Sequence, residues 1–243
     1  MPSGNNSLFV RGFSIGWDEV DQNSYLHQIE ALRNCETFAF HKPVTFFAGE
    51  NGTGKSTLLE ALAVSCGFNP EGGSKNYRFS TYDSHSRLWE AMHLQRGPYR
   101  ESWGYFLRAE SFYNVATKEM DYADGDHPSE RYHEKSHGES FLKLIQNHFY
   151  EEGLYFLDEP EAALSPQRQL TLLLEICNRV KTGSQFIIAT HSPILMGIED
   201  AEIIDFDDGH MHSCSYEETM SYRITKMFVT DRKQILRHLL EDK

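Results

Sequence analysis

Eight consecutive residues have the types and spacing needed to bind a chain of phosphates. They read Gly49-Glu50-Asn51-Gly52-Thr53-Gly54-Lys55-Ser56, which fills every fixed position of the pattern G-x-x-x-x-G-K-[ST]. The glycines let the backbone curl so that successive N–H groups face an anion. Lys55 is placed to bridge β- and γ-phosphates, and the Ser56 hydroxyl to bind Mg²⁺. The pattern predicts a nucleoside triphosphate with Mg²⁺ as ligand, against the alternative of a chance Gly-rich turn.

A second group able to do chemistry is the pair Asp158-Glu159, which ends the apolar, strand-like run at residues 154–157. In nucleotide hydrolases the first acid of such a pair holds the Mg²⁺ hydration shell, and the second polarises the attacking water. The alternative is that charged residues simply mark the end of a strand at the surface. With a phosphate loop upstream, the pair favours hydrolysis of the nucleotide.

His191 ends a third β-prone run, residues 183–190. A single histidine at a strand end is usually structural. This one lies at the carboxyl end of a predicted parallel strand, where open α/β sheets bind ligands. We therefore count His191 as a candidate site residue.

The elements that must position these residues alternate between strands and helices. Residues 43–48 form a β-prone run before the loop, and residues 57–64 read as the helix after it. Short β-like runs within residues 7–48 indicate a small sheet ahead of the loop. Residues 104–109 predict a second buried strand, and residues 88–95 a short helix. The pattern is that of an α/β protein.

Three other segments give weaker signals. A polar stretch predicts a helical or loop insertion at about 68–140 within a single domain, 1–243. Residues 222–240 predict a last helix that docks on the core or on a partner. His210, His212 and Cys214 alternate along a possible strand beside a predicted hairpin turn. They indicate either a metal site without an evident fourth ligand or, as we favour, an exposed polar strand.

Composition limits the classes of function. The 243 residues include 36 acidic and 23 basic ones, for a formal charge of −13, and 40% are hydrophobic. Such a chain is globular, and its field repels nucleic acid unless a basic patch or a partner intervenes. Four dispersed cysteines favour reduced thiols. Because we find neither a signal peptide nor a membrane-spanning apolar run, we expect a cytoplasmic protein without membrane insertion.

Five motifs occur in a fixed order within residues 37–208. They are the phosphate loop, Ser136-His137-Gly138-Glu139-Ser140, Leu157-Asp158-Glu159-Pro160, Ala162-Ala163-Leu164-Ser165 and Thr190-His191-Ser192. This order resembles the ABC-type ATPases, most closely the soluble RecF- and SMC-related branch and bacterial ATPases described as AAA or ABC family. The resemblance implies an ABC-type P-loop domain with a mainly parallel central sheet, an antiparallel N-terminal portion and a small helical insertion.

The resemblance also implies roles for residues, with ATP and Mg²⁺ as cofactors. The implied nucleotide contacts are Gly49, Glu50, Asn51, Gly52, Thr53, Gly54, Lys55, Ser56, Thr57, Ser136, Gly138 and Glu139. The implied catalytic residues are Glu159, His191 (on the γ-phosphate) and Lys55, and the implied Mg²⁺ ligands are Ser56 and Asp158. In the family, the signature loop that corresponds to residues 136–139 contacts nucleotide bound on the other subunit. An ATP-dependent homodimer is therefore implied.

Some positions depart from the family pattern. His137 stands where the signature usually has glycine, and Ser165 where the loop after the acid pair usually ends in Asp. Glu110 or Ser111 takes the place of a γ-phosphate-sensing glutamine. The aromatic residue that stacks on adenine is open among three residues upstream of the loop: Phe13, Trp17 and Tyr25.

Three functions stay open for such an ATPase. It could drive an effector on a separate chain in DNA maintenance or defence, serve as the nucleotide-binding subunit of a membrane transporter, or act as a nucleotide-gated binding module. The departures at His137 and Ser165 favour the first over the second. The intact Asp158-Glu159 pair favours turnover over the third. Whether nucleic acid is bound is left open.

Overall fold

Two β-sheets organise the computed structural model, which describes residues 8–75, 86–108 and 137–241. The strands in these ranges are β1 (Val10–Ile15), β2 (Thr37–Ala39), β3 (Val44–Ala48), β4 (Met92–Arg96), β5 (Trp103–Arg108), β6 (Gly153–Asp158), β7 (Gln185–Ala189), β8 (Glu202–Asp205) and β9 (His212–Cys214). The α-helices are α1 (Glu30–Arg33), α2 (Lys55–Ser65), α3 (His137–His148), α4 (Pro166–Lys181), α5 (Met220–Thr230) and α6 (Arg232–Glu241).

The larger sheet has the strand order β5-β6-β7-β3-β8-β9. All neighbours in it are parallel except β9, which pairs antiparallel with β8 at the edge. β3, β6 and β7 are buried at every residue, because helices cover both faces of a parallel sheet. The predicted mainly parallel α/β sheet is confirmed.

A smaller antiparallel sheet, with the order β2-β1-β4, comes from the N-terminal half of the chain. Buried Gln185, the first residue of β7, ties it to the larger sheet. The Gln185 side-chain oxygen accepts hydrogen bonds from the N–H groups of Phe9 and Val10 at 2.9 and 3.0 Å. Its amide nitrogen donates to the Val10 carbonyl at 2.8 Å. One side chain thus satisfies three buried backbone groups at the junction of the sheets.

The two faces of the large sheet carry separate cores, because successive strand residues point to opposite sides. Phe47 packs with α2 and the antiparallel sheet, whereas neighbouring Phe46 packs with α3 and α4. Both rings are fully buried. The phosphate loop joins β3 to α2, so its two ends are fixed by the interior of the domain.

Several sequence predictions need correction. Residues 88–95 are not an α-helix, since a 3₁₀ helix over Arg87–Ala91 leads into β4. The predicted last helix is two helices, α5 and α6, broken at Asp231. Within the predicted insertion at 68–140, the structure describes residues 68–75, 86–108 and 137–140. These residues are not only helix and loop, because they include β4 of the smaller sheet and β5 of the larger sheet. The other residues of the range lie outside the described residues.

The hairpin turn that was predicted beside His210, His212 and Cys214 is confirmed. Asp207–Gly209 connects the antiparallel strands β8 and β9. Within the described ranges, His210, His212 and Cys214 belong to no cluster that could hold a metal ion. No helix in those ranges is long and apolar enough to cross a membrane.

Replacing Gln185 should destabilise the fold. Gln185→Leu keeps the volume but leaves the N–H groups of Phe9 and Val10 without their acceptor, which should cost about 2–5 kcal/mol of unfolding free energy. Urea denaturation measures the loss. The matched control is Gln95→Leu on the exposed side of β4, which should change stability by less than about 0.5 kcal/mol. Equal effects of the two substitutions would contradict this account.

Candidate nucleotide-binding site

Four parallel strands end at one edge of the large sheet, and each delivers a functional segment there. β3 leads into residues 49–56, and β6 ends at Asp158. β7 is followed by Thr190 and His191, and β8 ends at Asp205. Because parallel strands share their carboxyl edge, segments far apart in sequence converge on one cleft.

The phosphate loop curls around the side chain of its own lysine. The Lys55 ammonium donates to the carbonyls of Gly49 and Glu50, both at 2.7 Å. Only 4% of Lys55 is exposed, and this burial lowers its pKa. Four carboxylates oppose that shift, namely Glu159, Asp207, Asp158 and Glu50. The loop therefore holds a cation at its centre within an acidic surround.

Ser56 and Asp158 meet directly. The Ser56 hydroxyl donates to Asp158 Oδ1 at 2.8 Å, joining the start of α2 to the end of β6. On the other side of Asp158, Arg108 Nε lies 3.9 Å from Oδ2, and the same guanidinium donates to Glu60 Oε2 at 2.6 Å. A hydroxyl and a carboxylate oxygen together are ligands of the kind that Mg²⁺ takes. This donor set fits the predicted cation.

Glu159 takes a conformation that non-glycine residues rarely adopt, with φ 47° and ψ 50°. Its N–H donates to the Ala189 carbonyl at 2.9 Å, which fixes the backbone at this turn. Its Oε1 lies 3.8 Å from His191 Nε2. The side chain lines a cleft of about 300 Å³ together with Gly52, Lys55 and Ser56. The left-handed turn thus directs a partly exposed carboxylate to the phosphate loop.

The turn that carries His191 is held by two side chains that the sequence did not reveal. The His191 N–H donates to Glu161 Oε1 at 2.6 Å. The Ser192 hydroxyl donates to Gln169 Oε1 at 2.6 Å, and Gln169 Nε2 donates to the Leu164 carbonyl at 3.1 Å. Gln169 therefore connects the turn after β7 with the loop that precedes α4.

Two polar atoms, His191 Nε2 in this turn and Glu161 Oε2 beside it, are buried and have no hydrogen-bond partner among the residues that the structure describes. Buried polar groups are normally paired, so each unpaired one calls for an explanation. His191 Nε2 lies beside Glu159, at the edge where the phosphate loop also ends. A ligand with phosphate oxygens would give this nitrogen a partner.

The far side of the phosphate loop is held by Asp205 at the end of β8 and by Asp207 just after it. The N–H of Glu50 donates to Asp207 Oδ1, and the N–H of Asp207 to Asp205 Oδ1, both at 2.8 Å. A Cβ on Gly49 would lie only 3.0 Å from Asp207 Oδ1. Contacts within the chain therefore hold the shape of the loop.

The three aromatic candidates for adenine stacking lie in different surroundings. Phe13 is fully buried in the core. Trp17 donates from Nε1 to the Cys35 carbonyl at 3.2 Å. Of the three, Tyr25 alone lines the cleft of the phosphate loop, and 54% of it is exposed.

The remaining predicted positions are only partly described. Ser136, Glu110 and Ser111 lie outside the described residues. Gly138 and Glu139 lie in the first turn of α3, an amphipathic helix as predicted, whose buried face includes Ile145. Ser165 caps α4, and its hydroxyl accepts from the Arg168 N–H at 3.4 Å.

Two family models match the chain on these segments. One, described as "AAA domain", matches residues 24–96, which include the phosphate loop. The other, described as "AAA domain, putative AbiEii toxin, Type IV TA system", matches residues 144–197, which include Asp158, Glu159 and His191. Among curated proteins, no sequence matches this chain.

Solved structures with a similar fold include both transporter subunits and SMC heads. CbiO1 of Clostridium perfringens, part of an ABC transporter complex, is 16% identical, with 85% of this chain and 91% of that chain covered and a TM-score of 0.44. An SMC head bound to the C-winged helix domain of ScpA is 14% identical, with coverages of 78% and 94% and a TM-score of 0.44. The SMC head of Thermotoga maritima is 15% identical, with coverages of 73% and 92% and a TM-score of 0.42.

Adding a methyl group at Gly54 should disturb this site. Gly54 has φ 102°, and a Cβ there would lie 2.6 Å from Ile29 Cγ2. Gly54→Ala should therefore shift the loop and weaken binding of a fluorescent ATP analogue at least about tenfold, a change of roughly 1.4 kcal/mol.

Gly67→Ala is the matched control for Gly54→Ala. Gly67 has a similar φ of 92°, but a Cβ there meets no atom within 4 Å. It should lose about 1–2 kcal/mol of stability from backbone strain and keep its nucleotide affinity. Unchanged affinity in Gly54→Ala would rule out this packing of the loop.

Proposed function

We propose that this chain, which belongs to the ABC-type P-loop ATPases of the SMC- and RecF-like kind, binds ATP with Mg²⁺ and hydrolyses it in a dimer that forms on ATP. Hydrolysis of ATP is the chemistry of that family. The Mg²⁺ dependence, the roles of individual residues and the dimer are the proposed part. The hydrogen bond between Ser56 and Asp158 at 2.8 Å carries the proposal, because it joins a phosphate loop to an acid pair.

Lys55 and Ser56 have binding roles in this scheme. The Lys55 ammonium would exchange its two carbonyl contacts for oxygens of the β- and γ-phosphates. Asp158 would orient the Ser56 hydroxyl, and these two side chains would hold Mg²⁺, which neutralises charge on the phosphates when bound. Tyr25 would stack on the adenine, since it is the candidate aromatic residue in the cleft.

Glu159 and His191 have the catalytic roles. The Glu159 carboxylate would accept a proton from the attacking water, or orient that water, at the open side of the cleft. His191 Nε2 would contact the γ-phosphate, which would satisfy this buried and unpaired nitrogen. Electrostatic stabilisation of the phosphoryl oxygens by Lys55 and His191 is the main catalytic contribution that we expect.

The dimer follows from the family resemblance of residues 136–139. Each chain, a single ATPase domain over residues 1–243, would present this signature at the start of α3 to the nucleotide of the other. The N-terminus of α3 would offer N–H groups to the γ-phosphate.

The work coupled to hydrolysis is proposed to be DNA maintenance or defence, through an effector on a separate chain. The second matching family model, described as a putative toxin of a type IV toxin–antitoxin system, supports defence. An ATPase assay with and without duplex DNA measures any dependence on nucleic acid.

Glu159→Gln should abolish turnover while leaving the ATP site intact. Loss of a general base lowers turnover by about 100-fold or more, whereas Lys55 and Ser56 still bind the nucleotide. We expect an ATP-bound dimer to accumulate, detectable by light scattering.

The matched control is Glu152→Gln. Glu152 has a similar left-handed conformation, with φ 50°, but it lies just before β6, at the opposite end of that strand. It should keep wild-type turnover and form no trapped dimer. Wild-type turnover in Glu159→Gln would refute the catalytic assignment.

Gln169 should act as a positioning residue for His191. Gln169→Leu removes the bond to Ser192 and the bond to the Leu164 carbonyl, so the His191 turn loses its tie to α4. We expect kcat to fall about tenfold, a change of roughly 1.4 kcal/mol in the barrier, with KM for ATP nearly unchanged.

Exposed Gln167 on the same helix provides the control for Gln169. Gln167→Leu should leave both kinetic constants unchanged. A rise in KM at constant kcat in Gln169→Leu would instead assign this residue to ground-state binding.

A further inference from the structure

A buried arginine and a buried glutamate lie beside the carboxylate of Asp158. Arg108 ends β5 in register with Asp158, so the two side chains leave the sheet on the same face. α2 covers that face, and on it Glu60 follows Ser56 by about one helical turn. The side chains of Arg108 and Glu60 are only 17% and 8% exposed. An ion pair is therefore packed next to the hydrogen bond between Ser56 and Asp158.

The guanidinium of Arg108 is held in place by residues outside the nucleotide site. Its Nη1 donates to Glu60 Oε2 at 2.6 Å and to the Pro70 carbonyl at 3.2 Å. Glu60 is fixed in turn, because its Oε1 accepts from the Ser86 N–H at 3.0 Å. Hydrogen bonds between charged groups are roughly twice as strong as neutral ones. The position of the guanidinium is thus set from the side of α2.

Arg108 has one further donor, its Nε, which these bonds do not use. This nitrogen is buried and has no hydrogen-bond partner among the residues that the structure describes. Asp158 Oδ2 lies 3.9 Å away, which is too far for a hydrogen bond, while Asp158 Oδ1 accepts from Ser56. A buried N–H group without a partner calls for an explanation, and the neighbouring carboxylate is a ligand of the proposed cation.

Glu60 determines what Arg108 can do to that carboxylate. An arginine without Glu60 would form an ion pair with Asp158 and repel a cation bound there. Paired with Glu60, the charge of Arg108 is offset, so its N–H can orient the carboxylate at little cost to cation binding. In metal sites the hydrogen-bond partners of the ligands fix their orientation, and losing one lowers metal affinity by about 10- to 100-fold.

We propose that Arg108, held by Glu60, is a positioning residue for Asp158. A rotation of the Asp158 carboxylate that shortens the 3.9 Å separation gives the Arg108 Nε–H its acceptor and fixes the carboxylate as a ligand of Mg²⁺. Arg108 itself contacts neither the nucleotide nor the metal. The inference rests on the proposed function, because it takes Asp158 as a Mg²⁺ ligand.

The test measures binding of a fluorescent ATP analogue at increasing Mg²⁺ and, separately, in EDTA, so that turnover is not involved. Arg108→Lys keeps the positive charge beside Glu60, but lysine has a methylene group where arginine has its Nε–H. The Mg²⁺ concentration that gives half of the full effect should rise at least about tenfold. The affinity in EDTA should stay unchanged, because the charge and the phosphate loop are unchanged.

Glu60→Gln is a second variant, which keeps the volume of the side chain and an acceptor for the Ser86 N–H. It leaves Arg108 without its anion, so the guanidinium pairs with Asp158 itself. The Mg²⁺ concentration at half effect should therefore rise again, without loss of affinity in EDTA.

The matched control is Arg96→Lys. Arg96 is also mostly buried, with Glu101 as its carboxylate partner at 3.7 Å, and it donates to the Ser65 carbonyl at the other end of α2 at 3.3 Å. The same substitution at this distance from Asp158 should leave the Mg²⁺ dependence of the wild type.

Unchanged Mg²⁺ dependence in Arg108→Lys or in Glu60→Gln overturns the inference. An equal rise in Arg96→Lys does so too, as does a matching loss of affinity in EDTA, since either would indicate a general disturbance of the fold. These outcomes leave the proposed function standing. A wild type that binds the analogue equally well with Mg²⁺ and in EDTA would instead contradict the Mg²⁺ site of the proposed function, and this inference with it.

Discussion

The hydrogen bond from Ser56 to Asp158 depends on the alignment of three parallel strands. Its ends are 102 residues apart in sequence and stand on β6 and after β3, which are not neighbours in the sheet. β7 lies between them, and its Ala189 is in register with Asp158 on one side and with Phe47 on the other. A slip of one residue would turn Asp158 to the other face of the sheet. The buried apolar residues of β7 thus set the geometry of a polar site to which they contribute no functional group.

The charge balance around this bond supports the proposed binding of Mg²⁺ with the nucleotide. Lys55 stands among carboxylates, and Arg108 near Asp158 is already shared with Glu60. A nucleoside triphosphate would add several negative charges to an acidic edge, which Lys55 alone cannot offset. In the proposed scheme Mg²⁺ supplies the missing positive charge at the oxygens of Ser56 and Asp158. In that scheme, the acids that would repel free ATP would favour binding of its Mg²⁺-bound form.

The sequence was sufficient for the parts of the site that are local in the chain. Residues 49–56, the Asp158-Glu159 pair and His191 were predicted to belong to one nucleotide site, and in the structure they lie at one edge of a parallel sheet. The contacts of Arg108 with Glu60 and of Gln169 with Ser192 were missed. They join residues 48 and 23 positions apart, whose side chains meet only through tertiary packing. No local pattern marks such a pair.

The errors in secondary structure have the same origin. Residues 92–96 form a strand because β1 pairs with them, and the alternation of buried and exposed residues is clear only once that partner is known. The break at Asp231 was missed because the apolar spacing continues on both sides of it. Asp231 has φ −135° and ψ 50°, outside the helical region, so α5 and α6 are separate helices.

The turn after β7 connects the candidate site with the start of α5. It begins with His191, whose Nε2 faces Glu159, and continues to Pro193, whose carbonyl accepts the Tyr216 hydroxyl at 2.8 Å. Tyr216 packs on Tyr222 in the first turn of α5. A shift of this turn on contact with a γ-phosphate would therefore reach the first turn of α5 through Tyr216.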